Sequence, residues 1–412
     1  MTTELPAPRP LETHEFEQFL QTDEIAFGME PVSPEVAELD RSVLELDRTI
    51  GVFDGSTLVG GASIFSFEMT VPGGRIPLAG VSYVSVLPTH RRRGILSSMM
   101  RHQLEGLHES GGEAVAGLTV SEPPIYGRYG YGPATQAATL VVPRHRNAMR
   151  LPGGVDDLKL RMIPTKESFE VCEEIYARQV PKRPGMLVRP PAWGRTACAD
   201  PDQWRGGRSK QRTVLAERDG QPVGYTRYRI KPDYSPGGPN SRVEPFEVYG
   251  DDPASYAVLL RYLLDIDLTS TITLQRVPVD SPIVHLLMNL RAAEMRVDDT
   301  LYIRLIDVDR ALASRTYATQ IDLVIEVADV FCPWNDGRWR LLGDEKGATC
   351  ERTDAAPDLA IGARELGAAF LGGVKLAALA AAGLVEERRS GAVSEASRAF
   401  ASDIAPWLSF GF

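Results

Sequence analysis

The order of apolar and polar positions predicts strands and helices in alternation along most of the chain. Residues 81–86 alternate with a β-branched bias, which is typical of a strand. A break at residues 87–90 follows, and apolar positions then recur at helical spacing over residues 95–107. Residues 113–120 form another short apolar run. Because a helix separates the two runs, we predict two parallel strands in one mixed sheet.

Antiparallel strands are predicted ahead of this unit. A helix is expected near residues 13–20, and a hairpin over residues 50–67 turns at Asp54-Gly55. After residue 120 the chain is rich in proline and glycine, and a strand over 134–142 is expected to close the first sheet. The N-terminal part is therefore predicted to be a mixed α/β unit.

Residues 150–300 repeat that order of elements with a different sequence. Strands are predicted at 214–218, 223–230, 243–249 and 271–276, with a helix at 253–265. Residues 250–253 read Gly-Asp-Asp-Pro between strand and helix, where the first copy has arginines. Acidic side chains repel a pyrophosphate, so we expect the second copy to have lost any anion site.

From about residue 300 the pattern changes. Strands are predicted at 302–306 and 321–327, a hairpin turn at 335–338, and one alanine-rich helix over 364–384. This order fits an antiparallel sheet with helices on one face, and the fold class is α+β.

Length, composition and net charge limit the number of domains and the classes of partner. A chain of 412 residues with 43% hydrophobic residues should form about three globular domains. The formal net charge of −10 argues against a general nucleic-acid binder and favours cationic small molecules or basic proteins as partners.

The spacing of the cysteines and the hydropathy of the chain predict its compartment and whether it binds zinc. The four cysteines form no CxxC pair, so we expect no zinc knuckle and a reducing compartment. The N-terminus lacks a signal-peptide pattern, and no run reaches the ~18 apolar residues that would span a membrane. We therefore expect a cytoplasmic protein without a membrane partner, and leave non-classical export open.

Arg91, Arg92, Arg93 and Gly94 lie between the predicted strand and the helix start. A helix start leaves backbone N–H groups unpaired, and its dipole favours negative charge. The four residues therefore predict an anion cradle, with a solvated basic turn as the alternative.

Two longer runs carry a resemblance to a known family. Arg91-x-x-Gly94 is similar to the acetyl-CoA motif of GCN5-related N-acetyltransferases (GNAT), with Leu96 where Gly or Ala is usual. The run 84–94, VSVLPTHRRRG, and the run 125–135, IYGRYGYGPAT, together resemble the Eis (enhanced intracellular survival) family of these enzymes.

The resemblance implies three domains and a hexameric assembly. Residues 1–148 would be the catalytic GNAT domain, 149–298 a degenerate GNAT-like domain, and 299–412 a sterol-carrier-like domain. The last domain could instead serve only as a packing scaffold, since a fold does not imply lipid transport.

The implied co-substrate is acetyl-CoA, with no metal. Residues 84–86 would offer backbone groups to the pantetheine arm, and residues around the helix start would hold the diphosphate. The expected acetyl-CoA contacts are Val84, Ser85, Val86, Arg91, Arg92, Arg93, Gly94, Ile95, Leu96, Ser97, Ser121 and Glu122.

A departing thiolate needs a proton donor. Coenzyme A should resemble cysteine, with a pKa of ~8.5, and a tyrosine titrates near ~10. From the residues alone Tyr126, Tyr129 and Tyr131 compete for this role. The resemblance selects Tyr126 as the general acid and leaves the other two as packing residues.

The C-terminus is unusually aromatic, with Trp407, Phe410 and Phe412 in its last six residues. Exposed aromatic rings gain nothing from water, which predicts a tail inserted into a pocket. The resemblance implies that the terminal carboxylate of Phe412 is the catalytic base, while a purely structural tail is the alternative. His90, His102, His108 and His145 are better explained as surface or packing residues.

Gly411 departs from relatives that have an acidic residue before the last phenylalanine. Asp23, Glu24 and Glu30 are candidates to hold a cationic acceptor in its place.

These observations predict an Eis-like N-acetyltransferase that acts on primary amines of multi-amine acceptors. Aminoglycosides are the expected acceptors, with antibiotic resistance as the consequence, and transfer would be direct within a ternary complex. Protein lysine acetylation is one alternative. The other is a non-catalytic lipid- or ligand-binding protein built on the sterol-carrier-like domain.

Overall fold

A computed structural model of the chain describes residues 7–146, 148–235 and 238–412. Its strands are β1 (Arg9–Pro10), β2 (Thr49–Asp54), β3 (Thr57–Val71), β4 (Gly74–Val86), β5 (Val115–Thr119), β6 (Gly132–Pro133), β7 (Gln136–Pro143), β8 (Lys159–Ile163), β9 (Arg212–Arg218), β10 (Gln221–Lys231), β11 (Tyr234–Ser235), β12 (Gly238–Pro239), β13 (Ser241–Gly250), β14 (Thr269–Pro278), β15 (Glu294–Asp299), β16 (Leu301–Leu305), β17 (Ile321–Ala328), β18 (Gly337–Asp344), β19 (Gly347–Arg352), β20 (Leu359–Gly362) and β21 (Val385–Glu387). Its α-helices are α1 (Phe16–Phe27), α2 (Pro34–Val43), α3 (Ile95–Ser110), α4 (Pro123–Tyr126), α5 (Phe169–Gln179), α6 (Pro191–Cys198), α7 (Asp202–Arg205), α8 (Pro253–Asp265), α9 (Ile283–Leu286), α10 (Val308–Ala313), α11 (Ala363–Ala369), α12 (Leu376–Ala381) and α13 (Ala392–Phe400).

Residues up to Thr135 and from Thr300 onward form one compact unit. Its larger sheet has the strand order β1-β2-β3-β4-β5-β16-β6. The predicted strand at 302–306 appears as β16, and it pairs antiparallel with β5 in this sheet. Residues that we expected at the start of the C-terminal domain therefore complete the N-terminal sheet.

The predicted parallel pair is present as β4 and β5, with α3 between them. In the described residues the two strands pair only at Ala79↔Ala116 and Gly80↔Gly117. Beyond Gly80 the edge of β4 that faces β5 therefore has no strand partner. On its other side β4 pairs with β3 through an irregular register at Gly61/Ser63. The extra residue of this bulge is on β4, between Ser82 and Ser85. Tyr83 lies within the bulge and has φ +51°, which is uncommon for a residue with a Cβ.

The second unit, Gln136–Asp299, contains the predicted repeat. Its sheet has the order β15-β7-β14-β13-β10-β9-β8, and α8 buries Leu259, Leu260 and Leu263 in its core. The hairpin at Asp219-Gly220, the helix and the later strands lie where the pattern predicted them.

One predicted strand pairs in a different sheet. The segment expected to close the first sheet, residues 134–142, contains β7, which pairs with β14 and β15 of the second unit. Strand pairing is a long-range choice, so the local pattern could not assign this strand to a sheet. The domain ranges 1–148, 149–298 and 299–412 stay a prediction.

The C-terminal sheet has the order β19-β18-β17-β20-β21. Its neighbours are antiparallel except β17 and β20, which run parallel. The predicted single helix over 364–384 is wrong, because it is divided into α11 and α12. Gly372 has φ +85° at the break, and a Cβ on Gly373 would lie 2.9 Å from Pro406. Backbone shape and close packing therefore override the helix propensity of alanine.

Among the described residues, no helix combines the length and the apolar character needed to cross a bilayer. All four cysteines are described, and each is a free thiol.

Candidate active site

The turn before α3 leaves the start of that helix open. Gly94 is the N-cap residue with φ +83°, and no described side chain caps the helix. The first intrahelical hydrogen bond runs from Ser98 N to Gly94 O at 2.9 Å. The N–H groups of the residues between them therefore point out of the helix start, where they can bind an anion.

The three arginines differ in their contacts. All are exposed, but Arg91 Nη2 donates to Ala26 O at 2.7 Å and its Nε donates to Val86 O at 3.4 Å. Arg91 therefore ties the turn to the end of α1. Arg92, with φ +61°, and Arg93 are exposed in the turn, and their charges would favour an anion at the helix start.

The corresponding helix of the second unit, α8, has its start capped by its own side chains. Asp252 Oδ1 accepts a hydrogen bond from Ser255 N at 2.9 Å and caps α8. Asp252 also pairs with Arg218 at 2.6 Å, and Asp251 pairs with Arg178 at 2.7 Å. The start of α8 is thus capped and acidic, unlike the start of α3, and the loss of the anion site in the second copy stays a prediction.

Residues 84–86, the predicted backbone contacts of the pantetheine arm, lie on the stretch of β4 that does not pair with β5. Val84 is half-buried, and together with Leu96 and Tyr126 it packs against one core cluster that contains Val81 and Leu104. The structure thus brings Val84, the first turn of α3 and Tyr126, the predicted general acid, to one core cluster.

Other predicted acetyl-CoA contacts have varied surroundings. Ile95 is buried in the core, so its contribution to an anion site would be its backbone. Ser97 Oγ lies 3.0 Å from Tyr129 Oη. Ser121 and Glu122 are exposed between β5 and α4.

Tyr126 is the last residue of α4, and a 3₁₀ turn over Gly127–Tyr129 follows it. Its half-buried ring lies edge-on to that of Tyr131, with centroids 6.1 Å apart. Burial above all, and then Tyr129 and Glu122, raise the pKa of Tyr126 to about 12. The phenol is therefore protonated at neutral pH and available as a donor.

The two competing tyrosines are core residues. Tyr129 is buried, and its ring lies 4.9 Å from that of Phe331. Tyr131 is fully buried, burial raises the pKa of its phenol, and its Oη has no hydrogen-bond partner among the described residues.

The C-terminal tail is inserted against the first sheet. Trp407 and Leu408 are buried, and the half-buried ring of Phe412 lies 5.0 Å from that of Phe67 on β3. A Cβ on Gly80 would lie 3.1 Å from the Phe412 ring. The tail thus reaches β4 at the point where pairing with β5 ends, which confirms the predicted insertion.

Asp23 of α1 is buried, and it lies close to Asp40 of α2. Tyr83 Oη of β4 donates to Asp40 Oδ1 at 3.0 Å. Of the other predicted carboxylates, Glu24 accepts a hydrogen bond from Val32 N, and Glu30 is exposed.

Asp40 and Tyr83 were not predicted as site residues. The sequence nevertheless marks Asp40, because it lies four residues after Val36 and three before Val43, on the face of α2 that these two residues bury. An acidic residue within the apolar stripe of a helix is unusual.

The histidines have the surface or packing positions that we predicted. His90 Nε2 lies 3.2 Å from Asp54, and His102 and His145 are exposed. His108 Nδ1 lies 2.5 Å from Asp307, and its ring stacks on Trp334. Within the described ranges no group of three or more His, Cys, Asp or Glu side chains is arranged to hold a metal ion.

Comparisons with known families agree with this architecture. Residues 7–134 and residues 185–305 each match an acetyltransferase (GNAT) domain, and residues 308–409 match a sterol carrier protein domain.

Relatives match along nearly the whole chain. An uncharacterized N-acetyltransferase of Streptomyces avermitilis is 51% identical over 388 residues, covering 94% of this chain and 95% of the relative. The N-acetyltransferase Eis of Mycobacterium tuberculosis is 33% identical over 396 residues, covering 92% of this chain and 93% of that protein. The crystal structure of Eis1 from Mycobacterium abscessus superposes with a TM-score of 0.83 at 32% identity, covering 99% of this chain and 100% of the other.

Two GNAT units, a sterol-carrier-type domain and an open helix start in the first unit define an N-acetyltransferase. Such domains imply the use of acetyl-CoA. The identity and coverage of its relatives show further that the chain belongs to the Eis family of GCN5-related N-acetyltransferases.

Proposed function

We propose that this enzyme acetylates primary amines of multi-amine acceptors such as aminoglycosides, by direct transfer within a ternary complex. The observation that carries the proposal is the position of the C-terminal tail. Phe412 packs at Gly80, at the end of the β4–β5 pairing, so the last residue of the chain contacts the strand that also carries Val84 to Val86.

The residues present fit acetyl-CoA. The uncapped start of α3 offers several N–H donors, and Arg92 and Arg93 add positive charge beside them. Val84 to Val86 lie on the unpaired edge of β4, where backbone groups can hydrogen-bond to an extended ligand. Bound acetyl-CoA would supply the acetyl group as a thioester.

Three groups of this chain would accept a proton or stabilise negative charge during acetyl transfer. The terminal carboxylate of Phe412 would accept a proton from the acceptor ammonium, which frees the nitrogen lone pair to form the C–N bond. The Val86 N–H is the candidate donor to the developing oxyanion. Tyr126 would donate to the sulfur as the C–S bond breaks.

Tyr126 would act as a hydrogen-bond donor to the leaving sulfur. Its pKa of about 12 exceeds that of a thiol, so complete proton transfer to a thiolate with a pKa of ~8.5 is uphill. The phenol would therefore stabilise the leaving sulfur by a charge-assisted hydrogen bond.

The proposal also covers assembly and location. A homohexamer in the cytoplasm is what the family resemblance and the sequence together support. The acidic net charge of −10 favours cationic acceptors over nucleic acid.

A thiol-release assay of the purified enzyme across an amine panel tests the proposal. The panel would contain aminoglycosides, monoamines and lysine peptides, and mass spectrometry would count the acetyl groups added. Turnover of aminoglycosides is the expected result. Exclusive turnover of lysine peptides would replace the proposed substrate class, and acetyl-CoA binding without turnover of any amine would contradict the proposal.

A further inference from the structure

Two exposed arginines lie against an aromatic pair beside the first turn of α3. The rings of Tyr129 and Phe331 have centroids 4.9 Å apart. Arg101 Cζ lies 4.6 Å from the centroid of the Phe331 ring, and Arg128 Cζ lies 5.9 Å from that of the Tyr129 ring. Ser97 Oγ lies 3.0 Å from Tyr129 Oη, which places the aromatic pair next to the helix start. The pair thus holds two guanidinium groups near the predicted anion cradle.

Most N–H groups of these two arginines are free to bind a ligand. Arg101 Nη1 forms one ion pair with Glu105 at 3.4 Å, and both side chains of this pair are about half exposed. Such a pair is weak, because water and salt screen it. Arg128 Nε donates to Ile125 O at 3.0 Å, and its two Nη groups have no partner among the described residues. A guanidinium over an aromatic ring keeps the N–H groups at its edge available for an anion.

The position of the arginines fits the adenosine end of the coenzyme. Coenzyme A carries a diphosphate and, one ribose away, a second anionic group, the 3′-phosphate. Ser97 lies in the first turn of α3, and Arg101 lies four residues later on the same face. Arg101 is seven residues after Gly94, which is roughly 10 Å along the helix axis. With the diphosphate at the helix start, the 3′-phosphate therefore lies within reach of Arg101. Arginine binds phosphate through two parallel N–H groups.

Phe331 is held in place by the C-terminal part of the unit. It belongs to residues 308–409, which match a sterol carrier protein domain. Next to it, Cys332 N donates to Asp329 Oδ1 at 3.0 Å, and the other oxygen of Asp329 pairs with the buried Arg304 at 2.6 Å. The ring that follows, Trp334, stacks on His108 of α3 with centroids 4.3 Å apart. The segment is thus fixed against α3 on both sides of Phe331.

We propose that Arg101 and Arg128 bind the 3′-phosphate of acetyl-CoA, with Phe331 as a positioning residue for the Arg101 guanidinium. This inference rests on the proposed binding of the diphosphate at the start of α3. It gives the enzyme a preference for coenzyme A over dephospho-coenzyme A, which lacks only the 3′-phosphate. It also gives the sterol-carrier-type domain a part in coenzyme selectivity.

The test is calorimetric titration with coenzyme A and with dephospho-coenzyme A, without any amine. The Kd of wild type for coenzyme A should be ~10- to 100-fold lower than that for the dephospho form, as expected for charge-assisted hydrogen bonds. R101M and R128M should each reduce this preference, and the double variant should bring it near unity. The Kd of dephospho-coenzyme A should not change. F331L should reduce the preference in the same way, because Arg101 loses the ring beneath it.

R75M is the matched control. Arg75 is 49% exposed and pairs with Glu68, which is 45% exposed, and the corresponding values for Arg101 and Glu105 are 51% and 46%. Since Arg75 lies at the start of β4, away from α3, R75M should keep the full preference for coenzyme A.

Three results would overturn the inference. Equal Kd values of wild type for the two coenzymes would show that no group binds the 3′-phosphate, while the diphosphate site and the proposed amine acetylation would stand. An equal loss of affinity for both coenzymes in the double variant would assign the two arginines a structural role. If wild type binds neither coenzyme, the proposed coenzyme site fails, and this inference fails with it.

Discussion

The ring of Phe412 lies 5.0 Å from that of Phe67 on β3, so the last residue of the chain packs on the N-terminal sheet. This contact holds the Phe412 ring against the strand that carries Gly80, and in the proposed function the carboxylate of the same residue is the base.

Extension of the C-terminus should abolish turnover. A tag after Phe412 replaces the carboxylate by a peptide bond and adds bulk at Gly80, so kcat should fall by ~10²-fold or more while the Kd of acetyl-CoA is unchanged. Steady-state kinetics and calorimetric titration with acetyl-CoA measure the two effects. The same tag at the N-terminus is the control, and full activity of the C-terminally extended enzyme would exclude the carboxylate as base.

Gly80→Ala should displace the tail without changing its sequence. The new Cβ would lie 2.7 Å from the Phe67 ring and 3.1 Å from the Phe412 ring, so one ring has to move. We expect lower kcat with little change in acetyl-CoA affinity. Gly106→Ala is the matched control, because a Cβ at this exposed position of α3 meets no atom within 4 Å. Comparable kcat values for the two variants would show that the packing of Phe412 at Gly80 does not matter for catalysis.

Tyr126→Phe should lower kcat by ~10- to 100-fold, as expected for loss of one charge-assisted hydrogen bond to the leaving sulfur, with acetyl-CoA binding retained. Tyr131→Phe serves as the control from the same segment. Its hydroxyl is fully buried without a described partner, so its removal should leave both kcat and stability near wild type. If Tyr131→Phe lost activity while Tyr126→Phe kept it, Tyr131 rather than Tyr126 would be the donor.

Asp23 should make stability depend on pH. Its folded-state pKa of about 7 lies above the ordinary value of 3.8, so the folded protein binds the extra proton between these values. Wild type should therefore lose stability relative to Asp23→Asn as pH rises from about 4 to 7, because over this range the unfolded state has released the proton that the folded state still binds. Thermal unfolding of both proteins at pH 5, 6, 7 and 8 measures this. A Tm difference that does not change with pH would contradict a raised pKa for Asp23.

Much of the architecture was predictable from the sequence. Periodicity located α3, α8 and the strands of the repeated unit, because each buries a face at regular spacing. The turn signals Asp54-Gly55 and Asp219-Gly220 marked both hairpins. The basic turn before α3 and the acidic turn before α8 distinguished an open helix start from a capped one.

Long-range pairing was not predictable in the same way. β7 and β16 each have an ordinary strand pattern, yet each pairs outside the unit that its neighbours in sequence suggest. The break between α11 and α12 depends on contacts of Gly372 and Gly373 with residues near the C-terminus, which local propensity does not contain.

The sequence by itself determined most of the order of elements and the family resemblance, and it predicted an anion cradle at Gly94, because these depend on neighbours along the chain. Only the tertiary structure decided that Phe412 reaches Gly80, and that Asp23, Asp40 and Tyr83 meet beside the bulge of β4. Those contacts join distant segments, and their geometry is set by sheet register and side-chain packing.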